Sequence, residues 1–211
     1  MLEWQIAQGP VGYLEAVQAM EAHVAAMSEG RAGERIWLLE HPALITAGAS
    51  AKRCDLLEPE RFPVFESRRG GQYTYHGPGQ RIGYVMLDLN QRGRDVRNFV
   101  FLIEEWLIQT LACFDICAER RKGRIGLWVC HNGREDKIAA VGLRLRKWRS
   151  FHGFSVNISP NLQHFSAIVP CGNDPTRYGV TSVLELEQHI TMSIFDAALQ
   201  KTFKQVFPEV L

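Results

Sequence analysis

The sequence lacks any apolar run that approaches the roughly 20 residues a membrane-spanning helix requires. Its first residues, Met1-Leu2-Glu3-Trp4-Gln5, also lack the basic stretch followed by an apolar stretch that marks a secretory signal peptide. Only five cysteines occur, and this odd number without a tight spacing pattern indicates no disulfide framework. We therefore expect a cytoplasmic protein with free thiols.

An excess of charge of one sign is lacking as well. The 24 basic and 23 acidic residues leave a formal net charge of +1, which gives no bulk signature of a nucleic-acid-binding protein. The chain has 211 residues, of which 46% are hydrophobic, and this is enough to bury one sizeable core. We expect a single domain over residues 1–211, because two domains would each be small at this length.

Helical periodicity alternates with short apolar segments along the chain. Apolar spacing predicts helices from Tyr13 to Glu29, after Asp95 as N-cap, and after Thr191 as N-cap with an end at Pro208. Strands are predicted at 36–40, 64–68, 82–89, 125–130, 137–147 and 151–158, the last two as a hairpin. Several strands follow one another without a helix between them. This favours an α+β fold with a mixed, largely antiparallel sheet flanked by helices.

A glycine-rich segment with one histidine follows the strand predicted at 64–68. Residues 68–80 read Arg-Arg-Gly-Gly-Gln-Tyr-Thr-Tyr-His-Gly-Pro-Gly-Gln. Glycine lets a backbone approach a ligand closely and point its N–H groups at a carbonyl oxygen. The spacing matches neither of the common glycine-rich phosphate-binding motifs. An ordinary tight loop with a solvated histidine is the competing interpretation.

Cys171 stands between Pro170 and Gly172, directly after the apolar stretch 165–169. A cysteine held at such a strand-to-loop junction would be well displayed for nucleophilic attack. The commoner fate of a free cysteine is burial as a small hydrophobic residue.

Lys137 and His152 begin two further segments that could carry chemistry. Lys137 precedes the apolar run 138–141, so it stands at the mouth of a buried strand. Such a lysine usually extends to solvent, and the alternative is that it points into a cleft. Gly153 within a predicted strand indicates a bulge or a close approach to a ligand, whereas His152 is more readily explained as a structural histidine.

Three other groupings are weaker signals. Cys113 and Cys117 lie four residues apart, but no second ligand pair has suitable spacing, so core packing is favoured over a metal site. Two basic clusters, at 120–124 and 144–149, are expected to form solvated faces that could attract an acidic protein partner.

Taken in order, these motifs resemble the lipoyl(octanoyl) transferase family of the biotin/lipoate protein ligase superfamily. The matching segments are 40–48, 69–80, 83–89, 96–97, 126–129, 137–142, 152–154, 170–172 and 181–182. Each segment is a weak signal alone. The glycine-rich histidine loop, the lysine motif and Pro-Cys-Gly in this order are specific together.

The resemblance implies a function, a fold and partners. A single acyltransferase domain with the biotin/lipoate ligase fold would transfer octanoyl from octanoyl-acyl carrier protein to a lysine of lipoyl domains, the first step of protein lipoylation. The implied acceptors are the E2 subunits of 2-oxoacid dehydrogenases and the glycine cleavage H protein. The family implies no cofactor, no metal, no nucleic acid and no membrane partner.

The resemblance also implies roles for individual residues. Cys171 would carry the acyl group as a thioester, and Lys137 would lower the pKa of the Cys171 thiol. The residues that match the positions around the acyl group are Arg69, Gly70, Gly71, Gln72, Tyr73, Thr74, Tyr75, His76, Ala140, Val141, Gly142, Gly153, Phe154 and Ser155.

Several alternatives stay open at this stage. A lipoate ligase of the same fold would use ATP and need no cysteine, and an amidotransferase would relay the acyl group between lipoyl domains with the same Cys171 and Lys137. A non-catalytic module that binds lipoyl domains and a cysteine hydrolase belong to other classes. The proton of the acceptor lysine could pass to Lys137 or to His76.

Overall fold

The computed structural model describes residues 2–131, 133–169 and 178–207. Within these ranges the helices are α1 Tyr13–Ser28, α2 Val96–Ala112 and α3 Met192–Val206. The strands are β1 Glu3–Ile6, β2 Arg35–Leu39, β3 Leu44–Ala47, β4 Val64–Glu66, β5 Tyr73–His76, β6 Gln80–Met86, β7 Glu119–Arg121, β8 Arg124–His131, β9 Arg134–Arg146, β10 Arg149–Asn157 and β11 Tyr178–Val180. None of these helices is long and apolar enough to cross a membrane.

The larger sheet has the strand order β1-β2-β6-β10-β9-β8-β7, and β11 pairs with β9. The pairs β1–β2 and β9–β11 are parallel, and the other pairs in this sheet are antiparallel. The predicted α+β fold with a mixed, largely antiparallel sheet is confirmed. The predicted hairpin is also confirmed, as β9 and β10 pair from Arg149 with Arg146 to Val156 with Ala139.

Strand alternation sends apolar side chains to both faces of the larger sheet. On β2, Ile36 and Leu38 join the core under α2 and α3, whereas Trp37 and Leu39 join the core under α1. Successive strand residues point to opposite faces, so a strand apolar throughout must be covered on both sides. This is why helices lie on both faces of the sheet.

The predicted helix starts are confirmed by their caps. The Asp95 side chain accepts a hydrogen bond from the backbone N–H of Asn98 at 3.0 Å, and Thr191 Oγ1 accepts one from Ile194 N–H at 3.3 Å. These bonds satisfy backbone donors that have no partner within the first helical turn. The predicted end of the last helix at Pro208 lies outside the described residues.

A smaller sheet of order β4-β3-β5 lies beside the larger one. Strand β3 pairs parallel with β4 and antiparallel with β5, and β3 and β5 share a core with the turn at Leu162–Ala167. The chain passes from β5 to β6 through Gly77–Gly79, where Gly79 has φ +85°. A Cβ at Gly79 would lie 2.5 Å from the carbonyl carbon and oxygen of Ser159, so glycine allows this turn to pack against β10's end.

Several strand predictions need correction. The strand predicted at 64–68 ends at Glu66, and the one predicted at 82–89 runs from Gln80 to Met86. Strands β1, β3, β5, β7 and β11 carried no clear periodicity because each is only three or four residues long.

Candidate active site

A cavity of about 490 Å³ opens between the smaller sheet and strands β6, β9 and β10. Its volume falls in the range of small-ligand sites, about 300–1,000 Å³. Most of the residues that were predicted to surround the acyl group line this cavity. They are Arg69, Gly70, Gly71, Gln72, Tyr73, Thr74, His76, Ala140, Val141, Gly142, Gly153, Phe154 and Ser155. Lys137 lines the same cavity.

Tyr75 is placed differently from the other residues of this set. Its side chain is buried in the core of the smaller sheet, where its hydroxyl lies 2.7 Å from His164 Nδ1 and its ring packs on Phe62 and Phe165. Its neighbours Tyr73, Thr74 and His76 line the cavity, whereas Tyr75 does not. A contact between Tyr75 and the acyl group stays a prediction.

Arg69 organises the loop between β4 and β5. Its guanidinium donates to the carbonyl oxygens of Gly70, Gln72 and Thr46 at 2.8–2.9 Å, and to Thr46 Oγ1 at 2.8 Å. The backbone N–H of Gly70 donates to Leu143 O at 2.9 Å, which ties the loop to β9. A planar guanidinium with five N–H donors suits several acceptors held in fixed positions.

Two buried histidines lie beside Arg69. Burial, together with the charges of His41 and Arg69, lowers the pKa of His76 to about 3. Burial and the charge of Arg69 likewise lower the pKa of His152 to about 3. We call Arg69, His76 and His152 the arginine end of the cavity; its histidines are neutral at neutral pH.

His152 and Tyr84 complete the cavity wall near the arginine end. Tyr84 lies with its ring 5.8 Å from His152, and its hydroxyl lies 3.0 Å from His41 Nε2. His152 adopts φ +60° at the start of the segment that faces the cavity. The prediction of a structural histidine agrees with its burial, although its ring also lines the cavity.

A chain of buried polar side chains leads from the arginine end toward β11. His76 Nδ1 donates to Gln80 Oε1 at 2.6 Å, Gln80 Nε2 donates to Asn157 Oδ1 at 2.9 Å, and Asn157 Nδ2 donates to Thr181 O at 2.9 Å. This bonding assigns the His76 proton to Nδ1, because the Gln80 oxygen only accepts. The backbone N–H of Thr181 in turn donates to Lys137 O at 3.0 Å. The chain therefore connects the two ends of the cavity.

Lys137 is buried, with a relative exposure of 6%. Its Nζ donates to the carbonyl oxygen of Ile125 at 3.1 Å and lies 4.8 Å from the centre of the Trp128 ring. We call Lys137, Ile125 and Trp128 the lysine end of the cavity. Of the two interpretations made from the sequence, the structure supports a lysine that points into a cleft.

Cys171 lies outside the described residues, within the undescribed stretch 170–177. The chain on either side is attached to the body of the protein: Val169 N–H donates to Asp55 O at 2.8 Å, and Val180 pairs with Lys137 in the β9–β11 register. Phe165 and Val180 also line a small cavity together with Lys137. Residues before and after the cysteine in sequence thus lie at the lysine end.

Glycines set the width of the cavity. A Cβ at Gly153 would lie 2.2 Å from Gly83 O, and one at Gly142 would lie 3.3 Å from both Arg69 Cδ and Gly70 O. Gly153 pairs without a register break, so it marks a close approach of backbone between β6 and β10 and not a bulge. Larger residues at these two positions would press on the cavity wall.

Other predictions from the sequence differ from the structure. Cys113 and Cys117 are both exposed, so the expectation of core packing is wrong. The first basic cluster is not free: Arg120 pairs with Glu104 and Glu105, and Arg121 and Arg124 both pair with Glu135. Sequence reasoning also missed Thr46, Tyr84, Ile125 and Trp128 as site residues, although all four fall inside the matching motif segments or next to one.

The chain is similar in sequence to known proteins along nearly its whole length. The lipoyl protein ligase A/B catalytic domain family matches residues 12–204. The octanoyltransferase of Caulobacter vibrioides is 58% identical over 211 residues, which cover 98% of this chain and 92% of that protein. The octanoyltransferase of Dinoroseobacter shibae is 57% identical over 215 residues, with coverages of 98% and 97%.

Solved structures share the fold at low sequence identity. A bipartite lipoate protein ligase from Thermoplasma acidophilum, studied with its E2 lipoyl domain, gives a TM-score of 0.70 at 15% identity and covers 97% of this chain and 82% of its own. A lipoate-protein ligase A bound with ATP gives a TM-score of 0.67 at 14% identity, with coverages of 97% and 85%. At these identities the likeness establishes the fold alone.

Proposed function

The chain belongs to the lipoyl protein ligase A/B catalytic domain family, among its octanoyltransferases, and from this premise we propose how its site moves the acyl group. It is an acyltransferase that serves protein lipoylation. We propose that the donor is octanoyl-acyl carrier protein, that Cys171 carries the octanoyl group as a thioester, and that the acceptors are lysines of lipoyl domains. One catalytic domain over residues 1–211 performs both steps.

The observation that carries this proposal is the buried ammonium at the lysine end. Lys137 is 6% exposed and lines the cavity, and strand β11 joins the stretch that contains Cys171 to the strand of Lys137. A free thiol with a pKa near 8.5 is only about a few per cent thiolate at pH 7. An adjacent ammonium favours the thiolate, whereas an apolar cavity disfavours it. We propose that Lys137 lies beside the Cys171 thiol and lowers its pKa.

The first step exchanges one thioester for another. The Cys171 thiolate attacks the thioester carbonyl of the donor, the bond from carbon to the carrier sulfur breaks, and the carrier leaves as a thiolate that takes up a proton. Backbone N–H groups of the glycine-rich loop stabilise the negative charge that develops on the carbonyl oxygen. Because the bond made and the bond broken are of the same kind, this step is nearly balanced in free energy.

The second step forms an amide. The neutral amine of the acceptor lysine attacks the Cys171 thioester, the thiolate departs, and the amine loses one proton. Burial lowers the pKa of His76 to about 3, so His76 is too weak a base to take that proton. We propose that the departing Cys171 thiolate takes up that proton, because the Lys137 ammonium cannot accept another.

Acyl loading of the purified chain tests this proposal. The chain is incubated with octanoyl-acyl carrier protein without ATP, and any octanoyl adduct is mapped to its residue by mass spectrometry. We expect the adduct on Cys171 and none on the exposed Cys54, Cys113, Cys117 or Cys130, which act as internal controls. A chain that gains no mass would support a binding module. A Cys171→Ser variant still active with ATP and free lipoate would support a ligase.

Two further assays distinguish the remaining alternatives: one compares acyl donors, and the other follows the loss of the Cys171 adduct. If an octanoylated lipoyl domain loads Cys171 faster than octanoyl-acyl carrier protein does, the chain is an amidotransferase. If the adduct on Cys171 is lost to water at the same rate with and without a lipoyl domain, the chain is a hydrolase.

A further inference from the structure

The ammonium of Lys137 is held without a carboxylate. Among the residues that the structure describes, no acidic side chain lies within ion-pair distance of Lys137 Nζ, and its contacts are the Ile125 carbonyl at 3.1 Å and the Trp128 ring at 4.8 Å. Burying a charge is costly unless another group compensates it. The carbonyl and the ring therefore take the place that a carboxylate usually has.

The backbone of β8 is shaped to present this carbonyl. Gly126 adopts φ +100°, its N–H donates to Glu104 Oε1 at 2.9 Å, and a Cβ there would lie 2.5 Å from Ala139 O. The register between β8 and β9 shifts between Leu127 and Trp128, as expected for a bulge at this glycine. The bulge turns the Ile125 carbonyl toward Lys137.

Contacts with neighbouring side chains and backbone fix the orientation of the Trp128 ring. Trp128 pairs with Lys137 across the two strands and is 1% exposed. The Arg124 guanidinium lies 4.4 Å from the centre of the Trp128 ring and 4.2 Å from that of Tyr178, and Trp128 Nε1 donates to Arg124 O at 3.3 Å. A ring held in this way cannot turn its face from the ammonium without breaking these contacts.

The acidic side chains near Lys137 on β9 and on the adjoining elements already have basic partners. Glu135 pairs with Arg121 and Arg124, each at 2.5 Å, and Asp136 pairs with Arg134 at 2.9 Å. Glu119 on β7 lies opposite Trp128 and pairs with Arg121, and Glu104 on α2 accepts from Gly126 N–H and pairs with Arg120. Tyr178 on β11 and Arg124 on β8 also lie beside the lysine end. These carboxylates do not neutralise Lys137.

We propose that Trp128 is a positioning residue for Lys137, an inference that rests on the proposed pairing of Lys137 with the Cys171 thiolate. A carboxylate partner would cancel much of the ammonium's field, and an ammonium in water would be screened by solvent. An indole face attracts the cation electrostatically and carries no net charge. It holds Lys137 in place and leaves its charge to act on the sulfur.

Alkylation of Cys171 by iodoacetamide as a function of pH tests the proposal. The full chain is compared with Trp128→Phe, which keeps an aromatic face, and Trp128→Leu, which removes it. Trp4→Leu is the matched control, because Trp4 packs on Trp106 and Phe203 and makes no contact with Lys137. Peptide mapping separates Cys171 from the four exposed cysteines, which report the intrinsic rate in the same sample.

We expect Trp128→Leu to slow Cys171 alkylation at pH 7 by about three- to tenfold and to move its pH midpoint upward. Trp128→Phe should stay within about threefold of the parent, and Trp4→Leu should leave the profile in place even if it lowers thermal stability. Equal profiles for the parent and Trp128→Leu would overturn the proposal, as would an equal loss in Trp128→Phe.

If Trp128→Leu fails to fold, incorporation of fluorinated tryptophans replaces it. Fluorine weakens the negative face of the ring with little change in shape, so the Cys171 midpoint should rise with each added fluorine. A midpoint that does not move overturns the role of Trp128. Failure of the proposed function looks different: the parent would then take no octanoyl group on Cys171, whatever its alkylation profile.

Discussion

The two ends of the cavity hold a cation in opposite ways. At the arginine end, the Arg69 guanidinium donates to three carbonyl oxygens and one hydroxyl of the surrounding loops, and two histidines beside it are neutral. At the lysine end, the Lys137 ammonium has one carbonyl and one ring face. The Arg69 guanidinium therefore uses its N–H donors to fix the backbone around the arginine end.

This difference separates a cation that shapes the protein from one whose charge is left to act. Several strong hydrogen bonds from Arg69 fix the shape of the loop at the arginine end, because a planar fork can satisfy many acceptors at once. Under the proposed function, the Lys137 ammonium with its few contacts keeps its electrostatic effect on the Cys171 sulfur. The following predictions either separate the two ends or show that they act alike.

The largest expected effect is a loss of stability in acid from the arginine end. Unfolded histidines bind a proton near pH 6.5, whereas folded His76 and His152 do so only near pH 3. Between these values the unfolded state holds more protons, so the free energy of unfolding falls as the pH falls. The two histidines together remove at most about 4 kcal/mol between about pH 7.5 and about pH 5.

Urea unfolding at these two pH values measures this effect. His76→Gln should remove about half of the difference, whereas His131→Gln, at an exposed position, should leave it unchanged. An unfolding free energy that is the same at both pH values would show that the buried histidines do not titrate as described.

Arg69→Met should act mainly on folding. It leaves the partly buried carbonyl oxygens of Thr46 and Gln72 without their charged donor, which costs about 3 kcal/mol of unfolding free energy. Arg68→Met changes the neighbouring exposed arginine and is the matched control. If Arg69→Met unfolds at the same urea concentration as the control, the hydrogen bonds of Arg69 do not stabilise the fold.

Lys137→Met should act mainly on chemistry. Loss of the ammonium lowers the thiolate fraction of Cys171, so octanoyl loading at pH 7 falls by roughly a hundredfold. Lys122→Met removes an exposed lysine from the nearby β7–β8 turn and should load at the parental rate. Loading of Lys137→Met within a few-fold of the parent would remove the distinction between the two ends.

The smallest expected effect concerns the polar chain that joins the ends. Asn157→Ala removes the Asn157 acceptor of Gln80 Nε2 and the Asn157 donor to the Thr181 carbonyl, and it should cost about 2 kcal/mol in thermal or urea unfolding. Asn98→Ala, at an exposed position on α2, provides the control. An unchanged midpoint for Asn157→Ala would mean that the chain does not couple the ends.

Local signals in the sequence predicted much of the fold. The N-caps Asp95 and Thr191, the helix from Tyr13 and the β9–β10 hairpin each depend on residues close together in sequence. The parallel pairings of β1 with β2 and of β11 with β9 could not be predicted, because short strands with long connections have no local signature.

Motif order identified the cavity better than it identified the roles of its residues. The glycine-rich loop was predicted to surround the substrate, but hydrogen bonds from Arg69 to distant carbonyls become visible only in three dimensions. The sequence did not separate Tyr75 from its neighbours, because the register of a four-residue strand decides which side chains face the cavity. Trp128 was part of a matching motif, yet nothing in the sequence indicated its contact with Lys137.

A single-turnover chase tests the central claim most directly. The chain is loaded from octanoyl-acyl carrier protein, freed of carrier by gel filtration, and mixed with an unmodified lipoyl domain in the absence of ATP. The account predicts that octanoyl leaves Cys171 and appears as an amide on the lipoyl-domain lysine at the rate of steady-state turnover. Transfer only when carrier protein is added back, or release of free octanoate instead of amide, would contradict it.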